Sequence, residues 1–431
     1  NISALSRFAV NRMTQNIERS AVNLTLAVAV GKHECTLTGN PTDADSLKIL
    51  AKRCVENARL FNENEEHLPP VAPQPLKDVQ GFDPEIAAIA PVDKARVISD
   101  ICKKAVKKNL TSYGTYRNEQ KFTAIANSAG MFAYYPSTHV GFSMTARTKD
   151  NTGSGRDERG ETWLHNLDPM QIASRAMARA IQSQKPRELP PGDYTVILSP
   201  IAVANYLTFM IWALDAKIAE TGRSPLSKYN NGKTLVGEKI FSDNITLRAV
   251  SDDPHNPVCP FGPAASLEGT AGQGMTTTIF SNGLPVKNVT IAENGILKNL
   301  LYSYYWATQK GIAPYSVPWF LTMDGDNRSL EDLVAETDRG IFVSSFWYIR
   351  FVDQNTLLLT GLTRDGTFYI ENGKFQYPIK NFRFNESPIM SLKNVEALSR
   401  PEKINMNWGF NLKVPGMRIR DFTFSSISDA I

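Results

Sequence analysis

Apolar and polar side chains alternate along residues 4–38, as in "FAVNRMTQNIE" and "VNLTLAVAVGKHECTLT". A period of two puts successive residues on opposite faces of a pleated strand, so neighbouring antiparallel strands are expected here. The period lengthens to that of a helix over 45–59, where Leu47, Leu50, Ala51, Cys54 and Ala58 share one side. It does so again over 93–108, with Val97, Ile98, Ile101, Ala105 and Val106 inward. Lys103, Lys104, Lys107 and Lys108 fall on the outer side of that helix near the negative end of its dipole, and read as a solvated face. Between the two helices, "HLPPVAPQPLKD" has too many prolines for a helix or central strand and reads as an extended connector. Strand texture returns over 120–149, and "KDNTGSGRDERG" reads as a polar, glycine-rich loop. Asp168-Pro169 opens a helix to about residue 184, because Asp caps it and Pro at the first helical position loses no needed hydrogen bond.

"KPRELPPGDY" is the natural boundary, giving an N-terminal α+β domain over 1–185 and a C-terminal β-rich domain over 186–431. Beyond it, "YTVILS" reads as a buried strand. Residues 201–220 read as a helix with Val203, Tyr206, Leu207, Met210, Ile211, Leu214 and Ile218 on one side. The run 194–214 has no charged residue, but Ser199-Pro200 interrupts it; a strand and a packed helix, not a membrane span, is the expectation. Asn294-Gly295 and Asn372-Gly373 supply the positive backbone angles of tight hairpins. The rest consists of short aromatic and β-branched runs such as "IFVSSFWYIRFV". The fold class expected is α+β. An N-terminal α/β sandwich-like part, with an antiparallel sheet and helices, precedes a β-rich, barrel-like part with one packed helix.

The 431 residues suit two domains, and 42% apolar with 21% charged residues is the balance of a soluble globular protein. The 47 basic and 43 acidic residues nearly cancel, at +4, so composition gives no footprint for nucleic acid. Four cysteines, none in a C-x-x-C pair, are too sparse for a disulfide scaffold and fit a reducing compartment. No signal peptide is evident after Asn1, so secretion is not expected.

Metal chemistry finds little support. His33, His67, His139, His165 and His255 form no H-E-x-x-H pair. His33 with Cys35, and His255 with Cys259, are each at most half of a tetrahedral zinc site. There is no G-x-S-x-G elbow. "TGSGRDERG" lacks the lysine-serine ending of a phosphate loop, and "AGQGM" near Gly272 is equally weak. The densest polar chemistry lies in "TRDGTFYIENGKFQYPIKNFRFNES", read as a hairpin and a following strand. Arg364 and Asp365 are expected just ahead of a strand. Asn381, Arg383 and Asn385 share one strand face, opposite Phe382 and Phe384, and Glu386 follows. This pattern suits a hydrogen-bonding rim for a peptide, and equally the solvated face of a half-exposed strand.

The stretch from "FWYIRFVDQNTLLLTGLTRDGTFYIENGKFQ" through "NFRFNESPIMSLKNVEALS" resembles the C-terminal signature of the PmbA/TldD family, also known as modulators of DNA gyrase. "SRFAVNRMTQN", with Asn11, Arg12, Gln15 and Asn16, resembles that family's first strands. "GEKIFSDNITLRAVSDDP" and "IAENGILKNLLYSYYWA" resemble its middle. The resemblance implies cytoplasmic dimers that process or degrade peptides and unfolded proteins. It also implies zinc on an H-E-x-x-x-H helix plus a later cysteine in the TldD branch. The corresponding helix here, "IAVANYLTFMIWALDAKIAE", has no histidine, and no cysteine follows Cys259. "RSPLSKYNNGKTLVGEKIFSD" is instead similar to the PmbA/TldE branch, which lacks the zinc motif. The expectation is a non-metal subunit with no cofactor of its own, zinc residing in a TldD-type partner. It would form a heterodimer or self-associate, act on peptide or unfolded-protein substrates, and have no nucleic-acid or membrane role. No catalytic residue is assigned. Arg364, Asp365, Asn381, Arg383, Asn385 and Glu386 are the candidates for binding substrate or partner. The alternatives are a stand-alone non-metal hydrolase, with Asp365 or Glu386 as general base, and a non-enzymatic binding module.

Overall fold

A computed structural model describes residues 1–228, 232–262, 283–318, 320–405 and 411–428. "AGQGM" lies outside the described residues. The alternating N-terminal segments are strands, as their period requires. Ile2–Ala9, Arg12–Ser20, Leu110–Ala126, Phe132–Thr148 and Ser154–Glu161 form a five-stranded antiparallel sheet. Arg12–Ser20 and Ser154–Glu161 are its edges, and Leu110–Ala126 and Phe132–Thr148 make one long hairpin at its centre. Helices Pro91–Lys107 and Pro169–Gln182 cover one face, where Tyr116, Phe142, Met144, Ile98, Ile101, Ile172 and Met177 form the core. The second helix begins where Asp168 accepts from the backbone N–H groups of Met170 and Gln171. Leu24–Val30 and His33–Gly39 pair as a separate hairpin, packed against helix Ala44–Ala58.

Segment 149–160, expected to be a loop, is mainly the edge strand Ser154–Glu161. Its glycines are there for contact. A Cβ on Gly155 would lie 2.3 Å from the Ala176 carbonyl oxygen, so helix Pro169–Gln182 can approach only because Gly155 and Ala176 are small.

Within the N-terminal core, Lys94 is fully enclosed and its Nζ donates to Asn118 Oδ1 at 2.7 Å. Burial holds this ammonium below the usual lysine range, against a smaller opposing pull from Glu18. Below the lowered native value, both the native and unfolded chains carry the proton and the burial cost opposes folding in full. As pH rises from there to the ordinary 10.5, the native chain sheds its proton first and stability rises. Lys94→Met is therefore expected to unfold later than wild type at pH 7, with the gap narrowing as pH approaches 10. Denaturant melts at several pH values read this directly. A variant weaker at every pH would mean that the bond to Asn118 outweighs the burial cost.

The C-terminal part is built on a closed ring of five strands. Arg339–Asp353, Gly192–Leu198, Met417–Ser428, Asn381–Glu386 and Leu358–Glu371 pair in that order, and Leu358–Glu371 pairs back to Arg339–Asp353. Lys374–Pro378 continues the sheet beyond a turn at Asn372 (φ 51°) and Gly373 (φ 72°), as the Asn-Gly signal requires. A six-stranded mixed sheet lies beside the ring, with Val289–Glu293, Leu247–Ala249, Phe320–Met323 and Asn411–Val414 at its centre. Helix Pro200–Leu207 packs against ring strands and against Glu402–Asn405 and Asn411–Val414 of the second sheet. That position explains why it is apolar on nearly every side.

The expected single helix over 201–220 is three short ones, Pro200–Leu207, Met210–Ala213 and Ala216–Glu220. Two polar side chains divide it. Thr208 turns its hydroxyl back to the Ala204 carbonyl at 2.7 Å, and Asp215 starts a new helix by accepting from the Ile218 N–H. The architecture is thus α+β, with an antiparallel sheet and helices leading into a closed barrel-like sheet. No helix among the described residues is long and apolar enough to cross a membrane.

Candidate functional site

Arg364 and Asp365 lie inside the strand Leu358–Glu371, not ahead of it. Val343 pairs with Thr367 and Ser345 with Arg364, so Asp365 and Gly366 together oppose Ser344. This is a β-bulge, made possible by a residue pair that tolerates positive φ: Asp365 at 57° and Gly366 at 113°. The bulge aims Asp365 out of the ring toward the N-terminal sheet. There its buried carboxylate accepts from the Ser154 hydroxyl at 2.6 Å, across 211 residues of sequence. The Ser344 hydroxyl, opposite the bulge, is buried without a hydrogen-bond partner.

The bulge meets the sheet face that carries no helices. Tyr113, Thr145 and Arg156 are in register across three adjacent strands, and Arg147 pairs with Ser154. With Trp347, Arg364 and Asp365 from the ring they line a cleft of about 400 Å³. Arg156 donates to Glu158 at 2.5 Å and to Thr145 Oγ1 at 3.5 Å. The Arg364 guanidinium stacks on Trp347, 4.6 Å from the ring centre, and Trp347 is nevertheless 54% exposed. Arg179 is packed behind the bulge and donates to the Arg156 carbonyl at 3.0 Å. Arg159 and Arg175 both bind the buried Asp157, at 2.9 and 2.5 Å, and Arg159 also pairs with Glu402 of the C-terminal part.

The remaining candidates stand elsewhere. Asn381 accepts from the Thr363 and Thr367 hydroxyls, each at 3.1 Å, and so ties two ring strands together. Arg383 and Asn385 are exposed on the outer face of their strand, as alternation predicts, with Phe382 and Phe384 fully buried inside. Arg383 reaches Thr360 Oγ1 at 3.5 Å. Glu386 turns inward, accepting from the Thr423 N–H at 2.8 Å and the Ser391 hydroxyl at 3.3 Å. Burial raises its carboxyl above the usual range. The Tyr206 phenol, hydrogen-bonded to Ser391 at 2.9 Å, is raised well above its own, by burial first and by Glu386 second. The six candidates therefore do not share one rim. Arg364 and Asp365 belong to the cleft, Arg383 and Asn385 to an outer face, and Asn381 and Glu386 to internal hydrogen bonding.

Sequence reasoning missed Tyr113, Thr145, Arg147, Arg156 and Trp347, because the sheet and the ring bring them together only in three dimensions. One signal was present. In "SGRDERGE", Ser154, Arg156 and Glu158 alternate with Gly155 and Asp157, a strand period inside a stretch whose glycines and charges suggest a loop.

Among the described residues, the histidines and cysteines are placed as follows. The segment 200–220 carries no histidine, and its Ile201, Val203, Tyr206, Met210, Ile211 and Leu214 are core residues. His33 Nδ1 contacts the Phe61 carbonyl oxygen at 2.6 Å, and Cys35 is buried against Cys54. Cys259 packs among Met131, Ala133 and Tyr135, where burial pushes its thiol up to about 12, while His255 is exposed. Among the described residues, no three His, Cys, Asp or Glu side chains converge as a metal would need.

The fold is that of a group of solved structures. A protein described as a modulator of DNA gyrase from Bacteroides thetaiotaomicron is similar at a TM-score of 0.80 and 20% identity, over 99% of this chain and 93% of that one. TldE from Thermococcus kodakarensis is similar at 0.80 and 17%, over 98% and 94%. Family models described as the PmbA/TldA metallopeptidase central and C-terminal domains match residues 70–184 and 191–426. The chain belongs to the PmbA/TldD family of metallopeptidase-related proteins. A protein named metalloprotease from Methanothermobacter thermautotrophicus is 22% identical over 349 residues, 73% of this chain and 68% of that protein. An uncharacterized protein of Methanocaldococcus jannaschii is 25% identical over 256 residues. That match spans 56% of this chain and about half, 54%, of that relative.

Proposed function

We propose that the chain is a PmbA/TldE-like, non-catalytic subunit of a cytoplasmic metallopeptidase system that processes or degrades peptides and unfolded proteins. A TldD-type partner supplies the zinc, in a dimer. Residues 1–185 and 186–431 act as the two domains that wall the substrate space. The observation that carries this reading is the segment 200–220, which a metallopeptidase of this family would use for its metal. Here it is three short helices filled with apolar core. Zinc would supply water activation and carbonyl polarisation in the partner, chemistry for which this segment offers no ligands.

The test is cleavage of an unstructured peptide by the purified chain alone, by a TldD-type chain alone, and by the two mixed, with the metal content of each measured. The expected result is a metal-poor, inactive chain that raises cleavage on mixing, in a chelator-sensitive manner. Cleavage by the isolated, metal-free chain would overturn the proposal and point to a carboxylate base, with Asp365 in the cleft the first residue to replace.

A further inference from the structure

The central hairpin of the N-terminal sheet outruns its neighbours. Strand Ile2–Ala9 pairs with Leu110–Ala126 only as far as Gln120, which lies opposite Ile2. Beyond that point, residues 121–126 and 132–137 form a two-stranded arm. Ile125, Ala133 and Tyr135 point to one face of the arm and pack with Met131 against Phe261 and Cys259. The other face is apolar and open. Phe122 lies opposite Pro136, Ala124 opposite Tyr134 and Ala126 opposite Phe132, so these side chains share that face. Phe132 is 72% exposed, Tyr134 53% and Phe122 43%, and Ala124 and Ala126 are exposed beside them. Residues 122–138 include no Asp, Glu, Lys or Arg. Three open aromatic rings on a charge-free arm mark a contact surface. The outer edge of the arm is unguarded as well. Among the described residues, no strand pairs with 122–126 on the side away from Phe132–Thr148, and no backbone group outside the hairpin bonds to them. Natural sheets blunt such an edge with a charge, a proline or a bulge. Residues 122–126 have neither charge nor proline, and the hairpin pairing runs from 110 to 126 without a register shift. The opposite edge is partly covered, where the Thr138 N–H donates to the Gly81 carbonyl at 2.9 Å.

We infer that this arm binds an extended apolar segment of another polypeptide, which adds as a strand along 122–126 and lays every second side chain on the open face. Two observations choose that occupant. An extended chain uses the free backbone edge and the aromatic face together, whereas a helical or irregular surface uses only the face. The open aromatic surface amounts to roughly 350 Å², taking about 200 Å² for a whole ring. A stable complex of folded partners takes about 800 Å² from each, so this face alone does not hold a second copy. Ala124 and Ala126 set the fit. They form a shallow floor between the added strand and the Phe132 and Tyr134 rings, so that large side chains of the segment reach the aromatics across them. Residues two apart on a strand stand about 6.8 Å apart, so Phe132 and Tyr134 match apolar side chains at alternate positions of the segment. Folded proteins bury such segments and unfolded ones expose them. Assigning the segment to a substrate rests on the peptide-processing role proposed above; the affinity for an apolar strand rests on the arm alone.

The test uses the whole chain without any partner subunit, so it does not depend on peptide cleavage. Two fluorophore-labelled heptapeptides, blocked at both ends, are titrated with the protein and followed by polarisation. One alternates Ser with Phe and Leu; the other has the same composition with its apolar residues adjacent. The alternating peptide should bind about tenfold more tightly, and its affinity should not fall as salt rises. Alternate residues of a strand turn their amides to opposite edges. N-methylation of every second amide should therefore abolish binding in one of the two possible patterns and spare the other. Phe132→Ser and Tyr134→Ser should each weaken the alternating peptide by about tenfold, and Ala124→Asp, which puts charge on the floor, at least as much. All three positions are exposed, so thermal melts should match wild type, and the comparison of peptides on the wild type stands without any variant. Equal binding of the two peptides, indifference to both N-methyl patterns, or no binding overturns the inference. So does sedimentation that shows a dimer of this chain dissolved by Phe132→Ser and untouched by the peptide, a result that assigns the face to a second copy. Peptide cleavage in the mixed-subunit assay can succeed or fail independently of all these results.

Discussion

Phe384→Ala is expected to lower the unfolding free energy by about 3–5 kcal/mol, the range for deleting a large, fully buried aromatic ring. Phe384 has no solvent exposure and sits where the ring of strands meets helix Pro200–Leu207. Its ring centre is 4.6 Å from that of Phe346, 5.8 Å from Phe422 and 5.9 Å from Tyr206. It also lies across Gly361 on the neighbouring strand: a Cβ there would come within 2.7 Å of the Phe384 ring. The sequence has thus omitted a side chain at 361 so that the ring can lie flat. Neither the aromatic cluster nor the strand pairing can close over the space left by Ala, so the cavity persists. The shift in urea midpoint measures the effect. A loss below about 1 kcal/mol would mean that the cluster repacks and is not the rigid centre described above.

Gly155→Val is expected to cost at least about 3 kcal/mol and to abolish the folded protein where the margin is small. The obstacle here is backbone. The added Cβ would face the Ala176 carbonyl oxygen at 2.3 Å, the Ala180 amide nitrogen at 2.5 Å and Arg179 Cβ at 2.8 Å. A helix backbone cannot rotate aside as a side-chain tip can, so helix Pro169–Gln182 must lift from the sheet. Ala173, Ala176 and Ala180, now fully buried, would lose contact along the helix. Gly155→Ala should show the same effect at smaller size. Because Ser154 and Arg156 flank this glycine, the cleft should deform with it. A melt equal to wild type would show that the helix does not rest on the strand as described.

Much of the fold is legible where local chemistry is decisive. Asn372-Gly373 specifies its turn because only such residues take both positive angles cheaply, and Asp168-Pro169 specifies a helix start for equally local reasons. The alternation of Phe382 and Phe384 with Arg383 and Asn385 correctly separates the inside of the ring from its outside. Legibility fails where tertiary contact decides. Ser154–Glu161 has the composition of a loop but is held as a strand by its neighbour and by the helix above its glycines. Arg364 and Asp365 were recognisable as unusual. Their position in a bulge depends on pairing with Ser344, and their meeting with Arg156 depends on the packing of one half of the chain on the other. Thr208 and Asp215 show the intermediate case. Each is a recognisable helix interrupter, yet the apolar periodicity around them is strong enough to suggest a single helix.

The ring of strands joins Gly192–Leu198 to Met417–Ser428, and the latter also pairs with Asn381–Glu386. During synthesis on the ribosome, the earlier strands emerge long before the segment that bridges them. Until it arrives, two edges stand open, with Val196, Leu198, Phe382 and Phe384 not yet shielded from water. Closure of the ring therefore waits on the last of its five strands to emerge, and chaperone protection matters most in the interval just before it.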